Sequence, residues 1–192
     1  YAKPNNGHKS LVRLESKGYI STLATQHVDR LHQKAGHKRV TDLHGRLDQV
    51  VCMDCGLLFS RHEIQTWLMK NNPYIVPMKA SKNSLRPDGD AEVSEAHVEK
   101  LKVPKCPQCK GLLKPNVVFY GSTVNKEIVN YLFERLRKAK ALLIVGSSLM
   151  VYSSFRFCKY AKENHIPIAC INQGLTRGDD LFSLKIDGDC SE

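Results

Sequence analysis

The sequence lacks the uninterrupted apolar run of about 20 residues that a membrane-spanning helix requires, so no membrane contact is expected. Residues 1–7 also lack an apolar stretch, and we therefore expect no secretory signal. Acidic residues are scarce, because 19 Asp and Glu stand against 29 Lys and Arg, which gives a formal net charge of +10. Disorder is not expected, because 42% of the residues are hydrophobic.

The excess of basic residues attracts phosphate groups, whether these belong to nucleic acid, to a nucleotide or to a membrane surface. Charge alone favours an ordinary solvated surface. The Lys and Arg residues are scattered, and the aromatic residues, 7% of the chain, do not alternate with them. A nucleic-acid-binding groove usually shows both patterns. We therefore do not expect nucleic acid as a partner, although a nucleic-acid binder stays an alternative.

The second half of the sequence alternates apolar runs with helical stripes. In chain order these are a strand over 117–120, a helix over 125–140, a strand over 141–145, a helix ending near 164, and strands over 166–171 and 181–186. Ser153 or Ser154 is the predicted cap of the second helix. The unbroken run Ala141–Val145 is typical of a strand buried on both faces. The alternation predicts an α/β fold with a parallel sheet.

Polar segments follow several predicted strands, where parallel sheets usually bind ligands. They are residues 25–29, 146–148 and 172–174. Taken singly, each is weak evidence. The Gly-Ser-Ser segment could hold a phosphate or ribose, or could be a plain loop. Asn172 could bond a ribose or merely end a strand, and His44 could be a general base or a turn residue.

Four of the seven cysteines form two C-x-x-C pairs, each followed closely by glycine: Cys52 with Cys55, and Cys106 with Cys109. An odd cysteine count without a secretory signal favours a reducing compartment over a disulfide framework. A redox pair is the alternative, but redox motifs occur singly. The pattern favours one structural Zn²⁺ held by four thiolates, with no position open for water. Residues 71–100, between the pairs, are polar and rich in proline and are expected to form a long insertion.

The order of these motifs along the chain resembles the sirtuin family. The matching segments are Thr25-Gln26-His27-Val28-Asp29, Leu43-His44-Gly45, the two cysteine pairs, Pro115 to Gly121, Gly146-Ser147-Ser148-Leu149, Ile171-Asn172 and Gly188-Asp189-Cys190. Sirtuins are NAD-dependent protein-lysine deacylases that release nicotinamide and transfer the acyl group to ADP-ribose. The resemblance therefore implies NAD, acyl-lysine protein substrates and a related protein ADP-ribosyltransferase activity.

The resemblance also implies a domain organisation. Residues 1–48 and 117–192 would form a Rossmann-like NAD-binding domain, a mostly parallel sheet with helices on both faces, and residues 49–116 a small zinc-binding module. Details such as Ala2-Lys3-Pro4-Asn5 and Thr123-Val124 are most similar to the class II, mitochondrial sirtuin-4-like branch. That similarity implies the mitochondrial matrix as the location, and we expect a monomer.

The family's functional residues can be transferred position by position. His44 matches the catalytic base, which must be neutral to accept a proton. The acyl-lysine peptide would pair as an added strand with Val118, Phe119, Tyr120 and Gly121. The positions expected to contact NAD are Gln26, His27, Val28, Asp29, Gly146, Ser147, Ser148, Asn172, Gln173, Gly174 and Cys190.

The sequence departs from the family at two informative places. It has no Gly-rich phosphate loop and no Asp-Phe-Arg segment ahead of the first matched helix, so we expect an incomplete sirtuin that lacks the first strand. The alternative function is a catalytically impaired, zinc-stabilised binding module. His27 stands where sirtuins usually have Asn, and the bulkier imidazole is expected to weaken NAD binding.

Overall fold

A computed structural model describes residues 2–73 and 99–191 of the 192-residue chain. The strands are β1 Leu23–Thr25, β2 Val40–Asp42, β3 Gly45–Cys52, β4 Leu58–Ser60, β5 Leu113–Val117, β6 Leu142–Val145, β7 Ile168–Ile171 and β8 Leu184–Ile186. The helices are α1 Asn6–Ser16, α2 Leu31–Ala35, α3 Arg61–Asn71, α4 Lys126–Arg137 and α5 Tyr152–Glu163, with a 3₁₀ turn over Asp179–Leu181.

The chain divides into two compact units. The first, called here the α/β unit, combines Tyr1–Arg46 with Val117–Glu192. The second, called here the cysteine unit, is Leu47–Asn116. Among the described residues, none of the helices has both the length and the apolar character that crossing a bilayer would demand.

Two parallel sheets form the α/β unit. β1 pairs with β2 in parallel, with Thr25 opposite Asp42. β6, β7 and β8 form a second sheet in that order, also parallel, with Val145 opposite Ile171 and Ile171 opposite Ile186. The predicted α/β fold with parallel strands is confirmed. Because all five strands are parallel to their neighbours, the residues that follow them lie together at the carboxyl ends of each sheet.

The core of the α/β unit packs α4 and α5 against each other and against the strands. Val129, Leu132 and Leu136 line the buried face of α4. Phe133 contacts Phe157 of α5 with ring centroids 4.9 Å apart. Each fully buried leucine or phenylalanine of this kind contributes about 1.5–3 kcal/mol through removal of apolar surface from water. The helix begins at Asn125, whose side chain accepts a hydrogen bond from the Glu127 backbone.

Three local predictions were wrong. The strand expected over 117–120 is instead β5, which ends at Val117, because after Val118, whose amide bonds the His44 carbonyl, the chain enters a turn. Neither Ser153 nor Ser154 caps α5, whose N-cap is Val151 without a side-chain bond. The β6 strand is not buried on both faces, because Leu143 remains 41% exposed on one of them.

The cysteine unit contains a three-stranded sheet in the order β4-β3-β5, in which β3 and β4 are antiparallel. Its helix α3 begins with a capping box, in which Ser60 bonds the first turn and Glu63 bonds the Ser60 backbone. At the helix end, the Asn72 side chain is 1% exposed and bonds both backbone groups of Lys102, at 2.9 and 2.7 Å. Most of the insertion predicted over 71–100 lies outside the described residues, but this asparagine joins the two chain segments that flank it.

Candidate metal centre and active site

The four paired cysteines come together in the cysteine unit. Their sulfur atoms all lie within 4.8 Å of one another. The Cys52 and Cys109 sulfurs are 3.4 Å apart, and those of Cys55 and Cys106 are 3.7 Å apart. These separations exclude disulfides, whose sulfurs are about 2.05 Å apart, and they match the spacing of about 3.8 Å expected for thiolates around a tetrahedral zinc ion. The donor set therefore fits one structural Zn²⁺, as the sequence predicts.

The backbone of each C-x-x-C turn brings its two sulfurs together. In the first turn the Gly56 amide bonds the Cys52 carbonyl at 3.0 Å, and Gly56 has a positive φ of 73° that favours glycine. In the second turn Lys110, not the following glycine, has the positive φ, 62°. Gly111 is needed for a different reason, since a Cβ there would collide with the Asp54 side chain.

His44 follows β2 in the α/β unit and is held at several points. The adjacent Leu43 is 2% exposed in the core and donates its amide to the Thr25 carbonyl. The His44 carbonyl accepts a 2.9 Å bond from the Val118 amide. Its imidazole Nε2 lies 2.7 Å from the Ser153 hydroxyl. The backbone bonds attach the His44 main chain to β1 and to the segment after β5, and the Nε2 contact attaches the ring to α5.

The electrostatics of His44 favour a neutral ring. Burial lowers the pKa of the half-buried imidazole, and a hydrogen bond to the Gln26 backbone partly opposes that effect. The net direction is below the ordinary value of 6.5, so the neutral form, which has a lone pair able to accept a proton, predominates at neutral pH. The residue therefore has the chemistry of a general base.

The loops after β1 and β6 meet. Gln26, the residue after β1, accepts a 2.9 Å hydrogen bond through Oε1 from the Ser147 hydroxyl in the loop after β6. Gly146, which directly follows β6, has a φ of 59°. A Cβ at Gly146 would lie 3.0 Å from the sulfur of Cys190, in the segment after β8. The structure thus brings together Gln26, Gly146, Ser147 and Cys190 from three predicted segments.

The loop after β7 lies between the loops after β6 and β8 in strand order. Asn172 donates its amide to the Ile186 carbonyl at 3.1 Å, and its side chain bonds the Gln173 carbonyl. The Gly174 amide donates to the Asp187 carboxylate. Ser148 and Gln173 are exposed. Hydroxyl, amide and backbone groups of this kind suit the ribose and phosphate oxygens of a nucleotide, and together with the side-chain-free Gly146 they fit NAD.

The segment after Gln26 is partly occupied in holding α2. The Asp29 carboxylate accepts a 2.9 Å bond from the Leu31 amide at the start of that helix. The His27 side chain is 70% exposed and its Nδ1 lies 3.8 Å from Asp29, while Val28 is half-buried. Of the predicted ligand-contacting residues in this segment, His27 is therefore the most accessible.

The predicted peptide-binding segment, Val118 to Gly121, is not itself a strand. After Val118 has bonded His44, the Ser122 amide bonds the Phe119 carbonyl and Gly121 adopts a φ of 81°, which produces a turn. Tyr120 is 97% exposed. An extended peptide would therefore have to pair with a short segment. Among the described residues, no strand of the α/β unit pairs with that segment beyond Val118.

One residue of this site was missed by sequence reasoning. Ser153 was predicted only as a helix cap, yet its hydroxyl contacts His44. No sequence signal identifies this contact, because a serine in the first turn of a helix is an ordinary occurrence and the partner is 109 positions away.

A parallel α/β unit with a polar carboxyl edge, together with a four-cysteine module, defines a nucleotide-binding protein with a structural metal site. The Sir2 family profile matches residues 1–153, and the chain belongs to that family. A relative from Bradyrhizobium diazoefficiens, named NAD-dependent protein deacetylase 2, is 50% identical over 189 residues, covering 98% of this chain and 68% of the relative.

Other relatives extend the same picture. A Xanthomonas campestris protein named NAD-dependent protein deacetylase is 48% identical over the whole chain, which spans 64% of it. Human NAD-dependent protein lipoamidase sirtuin-4, mitochondrial, is 46% identical over 99% of the chain, which spans 60% of it. A solved structure described as Sir2 bound to acetylated peptide superposes with a TM-score of 0.77 at 28% identity, covering 99% of this chain and 67% of the other. The chain therefore spans less than two thirds of several relatives that it matches.

Proposed function

We propose that this protein is an NAD-dependent protein-lysine deacylase in which His44 is the general base. The observation that carries the proposal is the placement of His44 at the carboxyl edge of a parallel sheet. Its neutral imidazole bonds the Gln26 backbone, and its main-chain carbonyl accepts a bond from the Val118 amide. Gln26 belongs to the segment proposed to contact NAD, and Val118 begins the segment proposed to contact the peptide. His44 is therefore adjacent to both proposed substrates.

The chemistry required of the residues follows from this placement. NAD supplies an electrophilic ribose carbon and nicotinamide as the leaving group. His44 accepts a proton from a ribose hydroxyl and so makes that oxygen a better nucleophile, a step for which its lowered pKa keeps the ring unprotonated at neutral pH.

We assign NAD contacts to the loops that follow the parallel strands. The bond between Gln26 and Ser147 supports this assignment, because it holds two of the loops at a fixed spacing. Gly146 supports it too, since a larger residue there would meet Cys190 and fill the space over the loop. The proposed contacts are Gln26, His27, Val28, Asp29, Gly146, Ser147, Ser148, Asn172, Gln173, Gly174 and Cys190.

We assign the peptide to Val118 through Gly121. The exposed rings of Phe119 and Tyr120 give this segment apolar surface that an extended chain could cover. The relative solved with an acetylated peptide supports an acyl-lysine peptide as the occupant.

Three finer properties belong to the same proposal. Protein ADP-ribosylation would follow if another nucleophile captured the same ribose carbon. A mitochondrial location is supported by the human relative named as mitochondrial, whereas the relatives of higher identity named above are bacterial. A monomer is the proposed oligomeric state.

The test is the stoichiometry of the reaction with an acetyl-lysine peptide. The protein is expected to release one nicotinamide for each lysine freed, and neither product should form when NAD is omitted. Transfer of label from adenine-labelled NAD to protein would measure the ADP-ribosyltransferase activity. Peptide and NAD binding without any nicotinamide release would contradict the proposal and indicate the catalytically impaired binding module instead.

A further inference from the structure

The hydroxyl of Ser153 lies 2.7 Å from Nε2 of His44, within the α/β unit. Ser153 occupies the first turn of α5, where a serine hydroxyl usually bonds backbone within its own helix. Its neighbour Ser154 does this, with Oγ 3.0 Å from the Val151 carbonyl. Ser153 is only 7% exposed, and its hydroxyl contacts His44, two residues after β2, instead. The contact therefore differs from ordinary helix-end chemistry.

The two partners of the imidazole determine where its proton is. The bond to the Gln26 backbone favours the protonated ring, so the partner is an acceptor, the carbonyl, and the ring must present an N–H to it. A neutral imidazole has one N–H. With Nε2 on Ser153, that N–H is on Nδ1, and Nε2 carries the lone pair. The Ser153 hydroxyl then donates to Nε2.

We propose that Ser153 is a positioning residue for the general base, which holds His44 in the tautomer with its lone pair on Nε2 and fixes the plane of the ring. This inference rests on the proposed function of His44. Because Nε2 has one lone pair, a substrate hydroxyl must take the place of the Ser153 hydroxyl at Nε2 before it can give up its proton. Once the substrate oxygen has reacted and moved away, the Ser153 oxygen accepts a hydrogen bond from the new Nε2–H. One side chain thus serves both protonation states.

The energetic consequence is largest for the protonated ring. A hydrogen bond to a charged group is stronger than one between neutral groups. Without the hydroxyl, the buried Nε2–H of the imidazolium would lose its acceptor. The Ser153→Ala variant should therefore have a lower His44 pKa than the wild type and a slower proton-transfer step, with little change in NAD affinity.

The kinetic experiment compares Ser153→Ala with its matched control Ser154→Ala in the full protein. We expect kcat for deacylation of an acetyl-lysine peptide to fall about 10- to 100-fold in Ser153→Ala and less than twofold in Ser154→Ala. The acid limb of the pH profile should move to lower pH in Ser153→Ala only. In a His44→Ala background, Ser153→Ala should cause no further loss, because it acts through the imidazole.

A second readout does not depend on activity. NMR titration of the histidine rings, with His44→Gln used for assignment, should show the His44 midpoint at lower pH in Ser153→Ala than in the wild type. An active wild type whose Ser153→Ala variant keeps its kcat and pH profile would overturn the inference. An unchanged His44 midpoint would overturn it as well. A wild type that frees no lysine, with the midpoint shifted as expected, would instead contradict the proposed function and leave the Ser153 contact supported.

Discussion

The Ser147 hydroxyl donates a 2.9 Å hydrogen bond to the side-chain oxygen of Gln26 and so joins two sheets of the α/β unit. Gln26 follows β1, whereas Ser147 lies in the loop after β6. Ser147 Oγ also accepts a bond from the Leu149 amide at 3.2 Å, which fixes the direction of the hydroxyl. Two loops proposed to contact the same ligand are therefore held at a set distance before the ligand binds.

This contact predicts an energetic coupling between the two residues. In a double-mutant cycle with Gln26→Ala and Ser147→Ala, the free energies of unfolding should be non-additive by about 0.5–1.5 kcal/mol, the contribution of one neutral hydrogen bond. Chemical denaturation measures it without any substrate. The control cycle combines Gln26→Ala with Ser148→Ala. Ser148 is exposed, so the two free energies of unfolding should be additive in this cycle. Additivity in both cycles would show that the contact does not stabilise the protein.

The four-thiolate site predicts that zinc binding and folding of the cysteine unit are coupled. Cys52→Ala should lose the bound zinc, measured by elemental analysis, and the cysteine unit should lose its cooperative melting transition. Cys190→Ser is the control, because Cys190 lies outside the cluster, and it should keep one zinc per chain. A Cys52→Ala protein with a full complement of zinc and the wild-type melting curve would refute the assignment.

Local patterns predicted the elements that depend on local chemistry. The helix expected from residue 125 is α4, whose N-cap is Asn125, because a capping bond spans only a few residues. The strand expected over 117–120 failed because the chain turns after Val118, whose hydrogen-bond partner His44 is distant in sequence. The exposure of Leu143 likewise depends on which elements cover that face of the sheet.

The candidate site shows the same difference between features set by nearby residues and features set by residues distant in sequence. The cysteine spacing predicted the metal cluster, because each pair sits in one turn. Parallel strands made the polar residues after them predictable as a group. The bond from His44 to Ser153 was not predictable, since it joins residues 109 positions apart and depends on how α5 packs. The turn at Gly121 depends on a backbone φ that the sequence allows but does not require.

Three histidine rings lie in contact in the α/β unit, and their contact predicts a loss of stability in mild acid. The His32 ring lies 4.6 Å from that of His8 and 5.4 Å from that of His37, measured between centroids. Burial, followed by the nearby histidines, lowers the pKa of His32 from 6.5 to about 4. Burial lowers the pKa of His8 as well. The nearby Asp29 acts on both in the opposite direction.

The sign of the effect follows from proton linkage. Below pH 6.5 His32 is protonated in the unfolded chain, whereas in the folded protein it stays neutral down to about pH 4. The free energy of unfolding should therefore decrease as the pH falls through that interval. Urea denaturation at about pH 7 and about pH 5 measures it. His32→Phe keeps a ring between those of His8 and His37, and it should reduce the decrease in the free energy of unfolding between the two pH values. An equal decrease in wild type and His32→Phe would assign the acid sensitivity to other groups.

The bulky imidazole of His27 is expected to weaken NAD binding, so its replacement by a smaller amide should strengthen that binding. It is exposed and lies 3.8 Å from Asp29, and its ring is bulkier than the amide that sirtuins usually have there. His27→Asn should bind NAD about 2- to 10-fold more tightly by calorimetry, the equivalent of one neutral hydrogen bond. His27→Ala separates removal of the ring from the gain of the amide and should improve binding less. Equal affinities of wild type and His27→Asn would contradict this reading of the site.

The most direct test of the account is the single-turnover rate of acetyl-lysine deacylation in His44→Ala, measured at saturating NAD and peptide. General-base catalysis contributes about 10²- to 10⁴-fold, so the rate should fall by at least about 100-fold while calorimetry still detects NAD binding. Deacylation by His44→Ala at the wild-type rate would contradict the assignment of His44 as the base.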